Sequence, residues 1–266
     1  MADFGLVQNN KVFAQGDLRS GNNTFNIYDF IMSFPIYKSS AFMVGLTPFS
    51  DVGYDFSSYE TDPNIIANTG NISYDSYGTG SVYQVFFGAG VTFWKRLSLG
   101  AEVIYYFGNI DKVTNMDYAN SSYRSVNSGT DLSVNGTTGK FGLQYEQKLG
   151  GDVSMTVGAT YRLGTKMKGY STNYRYATQE SISDTLNFRV DTIGAANINF
   201  ADEIGVGLSV KGGDKWSAEV NYVRSDWRNS GFDAQPGFSA IGQSKFTSTV
   251  SHSFRAGFEI TPNRND

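Results

Sequence analysis

The side chains able to do chemistry are few, and their spacing excludes more than it offers. The chain of 266 residues holds one histidine, His252, and no cysteine. Without thiols there is no disulfide framework and no thiolate metal site. A nucleophilic enzyme needs a hydroxyl or thiol beside a positioned base. The residues two places either side of His252, on the same face of a strand, are Val250 and Phe254. Neither is a nucleophile, so His252 is expected at the surface, toward the loop end of its strand, and no enzymatic activity is expected. The strings Gly78-Thr79-Gly80 and Gly88-Ala89-Gly90 open no helix, which a phosphate-binding glycine loop requires. Asp111, Asp117 and Asp131 could ligate calcium, but without EF-hand spacing a solvated loop is the expectation. No cofactor and no metal is expected.

What is left is a set of charges: Glu102, Lys140, Glu146, Lys148, Arg162, Glu219, Arg255 and Glu259. Their value depends on the elements that carry them. From Tyr83 to Phe93, one parity holds Tyr83, Val85, Phe87, Ala89, Val91 and Phe93. The other holds Gln84, Phe86, Gly88, Gly90 and Thr92. Strands alternate faces with period two, so this is a strand with one apolar side. Six further runs repeat the pattern, beginning at Leu97, Phe141, Val153, Ile204, Trp216 and Phe254. Gln147 is the sole polar residue on their apolar parity, and every charge lies on the other. Only Phe86, Ile104 and Tyr106 break the polar parity.

Soluble antiparallel sheets alternate too, so connection lengths must decide. Tight links at 34–41, 94–96, 150–151 and 212–214 alternate with long ones at 48–80, 109–137, 165–202 and 226–246. Short turns on one side and long loops on the other are the arrangement of a transmembrane barrel. Charged residues make up 17% of the chain and mean hydropathy is −0.31. No apolar run is long enough for a spanning helix, which needs about 18 to 20 residues. A net charge of −4 speaks against nucleic acid, which calls for a basic patch.

The expected fold is therefore all-β, an antiparallel transmembrane barrel in the bacterial outer membrane, forming one domain over residues 1–266. Ten strands are expected, at about 2–13, 24–34, 40–47, 81–93, 97–108, 138–149, 152–164, 203–211, 215–225 and 247–261. Segments 165–178 and 187–198 either extend strands above the membrane or pair as a loop hairpin. Leu99, Val103, Val157, Val220 and Phe258 are expected to face lipid. Phe93, Trp94, Tyr105, Phe107, Trp216, Tyr222 and Trp227 are candidates for aromatic interface girdles. The charges above then face the lumen, where their mixed signs favour a network holding the barrel over an ion-selective ring. The chain enters strand material at Met1-Ala2-Asp3-Phe4 and ends in the turn-like Thr261-Pro262-Asn263-Arg264-Asn265-Asp266. The expectation is a fragment, without its C-terminal strands and its N-terminal segment.

The stretch from Ile204 to Phe232, IGVGLSVKGGDKWSAEVNYVRSDWRNSGF, resembles a hairpin of the FadL/TodX family of outer-membrane hydrophobic-compound transporters. The matching features are Gly205, Gly207, Lys215-Trp216, Glu219 and Trp227. Asp202-Glu203 stands where the family usually has proline. Phe42 to Tyr54 is similar to the third strand of the branch found in Bacteroidetes-type bacteria. The resemblance implies fourteen strands, of which ten are here, and an N-terminal hatch with no counterpart in this chain. It also implies an inward kink in the third strand that opens the wall. Pro48, which cannot donate to a ladder, lies there between Gly45 and Gly53. On that reading, pairing around Thr47–Asp51 is missing on one side and leaves a gap lined by Leu46 and Phe49. The plainer reading is that Pro48 ends the strand. The implied function is uptake of hydrophobic small molecules through the wall by a lipid-embedded monomer. Two alternatives stand: a diffusion porin for small polar solutes, and a scaffold or shuttle of a protein-secretion system.

Overall fold

The computed structural model describes residues 2–15, 18–179, 182–195, 198–232 and 247–261. The chain is almost all strand: β1 (Ala2–Gln15), β2 (Leu18–Tyr37), β3 (Ser40–Tyr59), β4 (Ile72–Phe93), β5 (Leu97–Tyr118), β6 (Ser125–Gly150) and β7 (Val153–Arg162). After these come β8 (Thr165–Lys166), β9 (Lys168–Gln179), β10 (Ile182–Ala195), β11 (Asn199–Phe200), β12 (Glu203–Gly212), β13 (Trp216–Asp226) and β14 (Val250–Ile260). Among the described residues one helix, α1 (Pro63–Thr69), interrupts them, its first turn held by the Asp62 side chain accepting from the Asn64 amide.

One antiparallel sheet runs β1-β2-β3-β4-β5-β6-β7-β12-β13-β14 and curls into an open half-barrel. Left-handed backbone makes the tight turns, and Gly150, Gly151 and Gly213 all take positive φ. Between β4 and β5, Trp94 and Lys95 both take positive φ (48° and 59°), as a two-residue hairpin turn of right-handed twist demands. Trp94 is 83% exposed there, beside half-exposed Phe93.

The strand bounds need correcting at the other end. Segments 48–59, 72–80, 109–118 and 125–137, expected within long loops, are strand: β3 to β6 are 20, 22, 22 and 26 residues long. At about 3.3 Å per residue, the 22-residue β4 is roughly 70 Å long, more than twice the hydrocarbon thickness. The two alternatives for 165–198 both hold in part. β9 and β10 form a hairpin, and β9 also pairs with the upper half of β6. Thus β3, β4, β5, β6, β9 and β10 make a second, upper sheet continuous with the barrel wall. Much of the segment 226–246 and the tail 262–266 lie outside the described residues.

Inside the wall the cross-strand registers stack four kinds of layer. Nearest the tight turns is Thr92, Ser98, Gln144, Gly158, Gly207 and Asn221. Above it is a row of small residues: Gly90, Gly100, Gly142, Thr160 and Gly205. Next comes a charged row, Glu102, Lys140, Arg162 and Glu203 on four adjacent strands. Above that the interior turns apolar, and Val82, Phe86, Ile104, Tyr106, Leu132 and Val134 are buried.

Candidate functional site

The apolar layer is closed over by the chain itself. β7 ends at Arg162, and the segment that follows crosses the interior before rising as β9. The return from β10 crosses it again, and β8 pairs with β11 where the two crossings meet. Their side chains Met167, Ile198 and Phe200 complete the core, with Met167 and Ile198 at 1% and 0% exposure and Tyr106 at 0%. Space for them comes from missing side chains elsewhere: a Cβ on Gly136 would strike Met167, and one on Gly45 would strike Phe86. Gly80, at φ 117°, lets β4 approach the β5 backbone at this level, where a Cβ would meet the Asn109 carbonyl.

Four aromatic rings bind this plug together. Phe49 packs edge-on to Tyr106 (4.9 Å) and stacks on Phe200 (5.0 Å), while Phe200 meets Tyr106 at 5.0 Å and Trp227 at 5.9 Å. Such pairs contribute about 0.5–1.5 kcal/mol each beyond their burial. Trp227 is therefore a plug residue, correcting the expectation that it belongs to an interface girdle.

Arg162 anchors the plug from below. It is buried, donates to the Tyr106 hydroxyl at 2.9 Å and lies 3.4 Å from the Glu203 carboxylate. Its guanidinium also sits 5.5 Å from the centre of the Phe49 ring. A buried charge is tolerated only when paired and hydrogen-bonded. The partner, Glu203, was not among the sequence candidates. It stands at the Asp202-Glu203 position where this chain departs from the resembled pattern.

Under the plug is a cavity of about 1000 Å³ reached by the charged row. Glu102, Lys140, Glu219 and Arg255 line it among glycines, serines and threonines. Of the other lumen candidates, Glu146 is exposed near the tight turns, and Glu259 accepts from Ser217 at 3.4 Å. Among the described residues, Arg162 alone of these candidates sits in an ion pair within 4.0 Å. Apolar side chains, Met43 and Val223 among them, share the lining with these charges.

The wall has a seam. β2 pairs with β3 from Tyr37↔Ser40 to Phe30↔Leu46, and their ladder ends there, although both strands continue. On its other side β3 stays paired to β4 as far as Tyr59, with one register shift between Pro48 and Ser50. The extra residue of that bulge is Phe49, which packs into the plug, and the bulge leaves Ser50 on the inward side as well. The five wall candidates are not gathered into one pocket. Leu46 lies in the outward row of Val85 and Tyr105, Phe49 points inward, and Gly53 lies further up, opposite Thr79. Leu46 and Phe49 therefore do not line one common gap, because they stand three positions apart on opposite faces of β3. Gly45 serves Phe86, and Pro48 is the last regular pair before the bulge, opposite Tyr83.

His252 lies on exposed β14, its Nδ1 2.8 Å from the Tyr222 hydroxyl. Asp111 and Asp131 face each other across β5 and β6 in strands, not in a loop. Burial, and then the Asp111 charge, raise the Asp131 carboxyl above the usual range. Among the described residues no group of three or more potential metal ligands occurs.

The chain matches the sequence profile of the BamG family over residues 2–266. No curated protein and no solved structure matches it. The family and the curled antiparallel sheet together mark a β-barrel-type protein associated with the bacterial outer membrane.

Proposed function

The chain belongs to the BamG family, and from that premise we propose that it is an integral outer-membrane scaffold, a wall that carries a tall outer sheet for protein partners in a machine of the protein-secretion type. The supporting observation is the plug. Passive passage of polar solutes needs an open lumen, and here Tyr106, Met167 and Ile198 are fully buried in an apolar core. A carrier of hydrophobic compounds needs an apolar pocket with a few polar groups. The cavity under the plug instead brings four charged side chains, Glu102, Lys140, Glu219 and Arg255, into its lining. What the architecture does offer is a rigid sheet rising past the apolar band. Leu99, Val103, Val157, Val220 and Phe258 are exposed on the outward face and would contact lipid.

The test is purification of the natural protein under mild detergent, followed by native mass spectrometry. A stable assembly with defined protein subunits is the expected result. A monomer that carries apolar small molecules would overturn it in favour of uptake. One observation favours that second reading, of a transporter resembling FadL: the β2–β3 ladder ends at Leu46, at the level of the plug, which would give apolar molecules a lateral route.

A further inference from the structure

The seam has two arms of nearly equal length. Beyond the last pair, Phe30↔Leu46, β2 continues for twelve residues as Leu18–Asp29 and β3 for thirteen as Thr47–Tyr59. The arms run antiparallel from a common vertex. Continuing the existing register, in which partner numbers add to 76, sets Asp29 opposite Thr47 and Leu18 opposite Ser58. Nothing has to slip for every position on one arm to find a place on the other. Register is otherwise costly to change, since a one-residue slip turns every side chain to the other face.

Both strands are also irregular at the vertex. β1 and β2 shift register between Gly5 and Leu6, which leaves Tyr28 unmatched, and β3 bulges at Phe49. Bulges bend a strand and increase its twist, and they occur where pairing is made to end. Here the two bulges lie within three positions of the split, one on each arm. The β2 arm is held on its far side by β1 alone, from Gly5↔Asp29 to Gln15↔Leu18. A two-stranded ribbon of that kind is marginal by itself and gains from a third strand.

We infer that the β1–β2 ribbon is a zipper for the wall: Leu18–Asp29 pairs with Thr47–Ser58 in continuing register, extending the ladder that ends in the structure at Phe30↔Leu46. Phe49 ties the zipper to the plug, because the residue that bulges at the vertex is also the one packed on Tyr106 and Phe200. This goes beyond both functional readings, since it concerns the wall whatever passes it or docks on it.

The natural chain has no cysteine, so paired cysteines report cleanly. Antiparallel partners lie about 4.5–5.5 Å apart, within disulfide reach. In the otherwise natural protein in membranes, Asn26→Cys/Ser50→Cys, Phe25→Cys/Asp51→Cys and Asn22→Cys/Tyr54→Cys are in register. Asn26→Cys/Tyr54→Cys is out of register, and Ser33→Cys/Met43→Cys reports the ladder already formed. Under mild oxidation, at least one of the adjacent pairs 26/50 and 25/51, together with 22/54, should cross-link to at least half the extent of 33/43. The pair 26/54 should cross-link at least tenfold less. Absence of in-register cross-links while 33/43 oxidises would overturn the inference, as would equal cross-linking at 26/54. Cross-linking of Ser50→Cys to a separate polypeptide would also overturn it, giving the β3 edge to a partner. Should the cysteine pairs fold poorly, spin labels at 22 and 54 should show a short-distance population; a single long distance has the same overturning force. A zipper that closes without changing uptake of an apolar dye would leave the inference standing and remove the lateral-route reading alone.

Discussion

The lower wall and the upper sheet are built from the same strands with opposite sidedness. Along β4 and β5 the outward rows pass from Val85↔Tyr105 and Tyr83↔Phe107 to Ser81↔Asn109 and Thr79↔Asp111. Inward, the small and charged rows of Gly90↔Gly100 and Gly88↔Glu102 give way to Phe86↔Ile104 and to buried Tyr106 and Val82. Neither strand breaks register at the change. Below it the sheet has a membrane protein's polarity, apolar out and polar in. Above it the sheet has a soluble protein's polarity. On the proposed outer-membrane placement, the boundary between the rows at Tyr83–Phe107 and Ser81–Asn109 is where the surrounding solvent changes from lipid to water. Which face is apolar is set by the medium outside, not by the strand.

The comparison breaks most directly at the inward residues of the upper sheet. Leu132→Ala should cost about 2–5 kcal/mol through the cavity it leaves, measured as loss of hydrogen-exchange protection in β5 and β6. The neighbouring outward change Ser133→Lys should stay within about 0.5 kcal/mol. Equal costs would refute the inversion.

In the lower wall the sides exchange roles. A lysine on the lipid face near the bilayer centre costs roughly 2–4 kcal/mol, and less near the interfaces. Val157→Lys should impair barrel assembly by heat-modifiable gel mobility, whereas Thr156→Lys, facing the cavity opposite Glu146, should be tolerated. Orientation sharpens the contrast. A cysteine at Ser128 in the upper sheet should take an impermeant thiol reagent on intact cells, and one at Gly150 by the tight turn should not. Labelling at Gly150 alone would turn the molecule over.

The smallest effect concerns Asp131. Its carboxyl is raised by burial and by Asp111, so the folded state holds that proton more tightly than the unfolded chain. Stability of the upper sheet should therefore fall as pH rises from the ordinary aspartate range through the raised value. Asp131→Asn should flatten that part of the pH profile and protect the upper sheet at neutral pH. An unchanged profile in hydrogen exchange would show that the pair carries no strain.

The lower wall was legible because lipid outside and small or charged residues inside leave a clean parity. Its three exceptions, Phe86, Ile104 and Tyr106, were the visible edge of the plug. The upper strands were hidden for the converse reason. Their outward face is Ser, Asn and Asp, and glycines interrupt the inward one, so a strand in water looks like a loop. The crossings β8 and β11 are two residues each, and no periodicity exists at that length. Glu203 was missed because its partner Arg162 lies 41 positions away in sequence and becomes a neighbour only when β7 and β12 pair. The seam is intermediate: Pro48 marked the place, but the bulge that leaves both Phe49 and Ser50 inward exists only in the pairing with β4.

The long, unbroken ladder of β4 and β5 also fixes an order of events. Its first pair, Phe93↔Leu97, is four positions apart in sequence, and its last, Ile72↔Tyr118, is forty-six apart. Closing the short loop first and adding pairs one at a time never requires the chain to close the large one from scratch. The hairpin should therefore form from the tight turn outward, and the lipid-facing rows should be in place before the water-facing ones. The plug comes later still, since Met167 and Phe200 belong to segments that follow. During biogenesis the wall would then exist for a time with its lumen open, and the filling of the lumen would be the closing step of maturation.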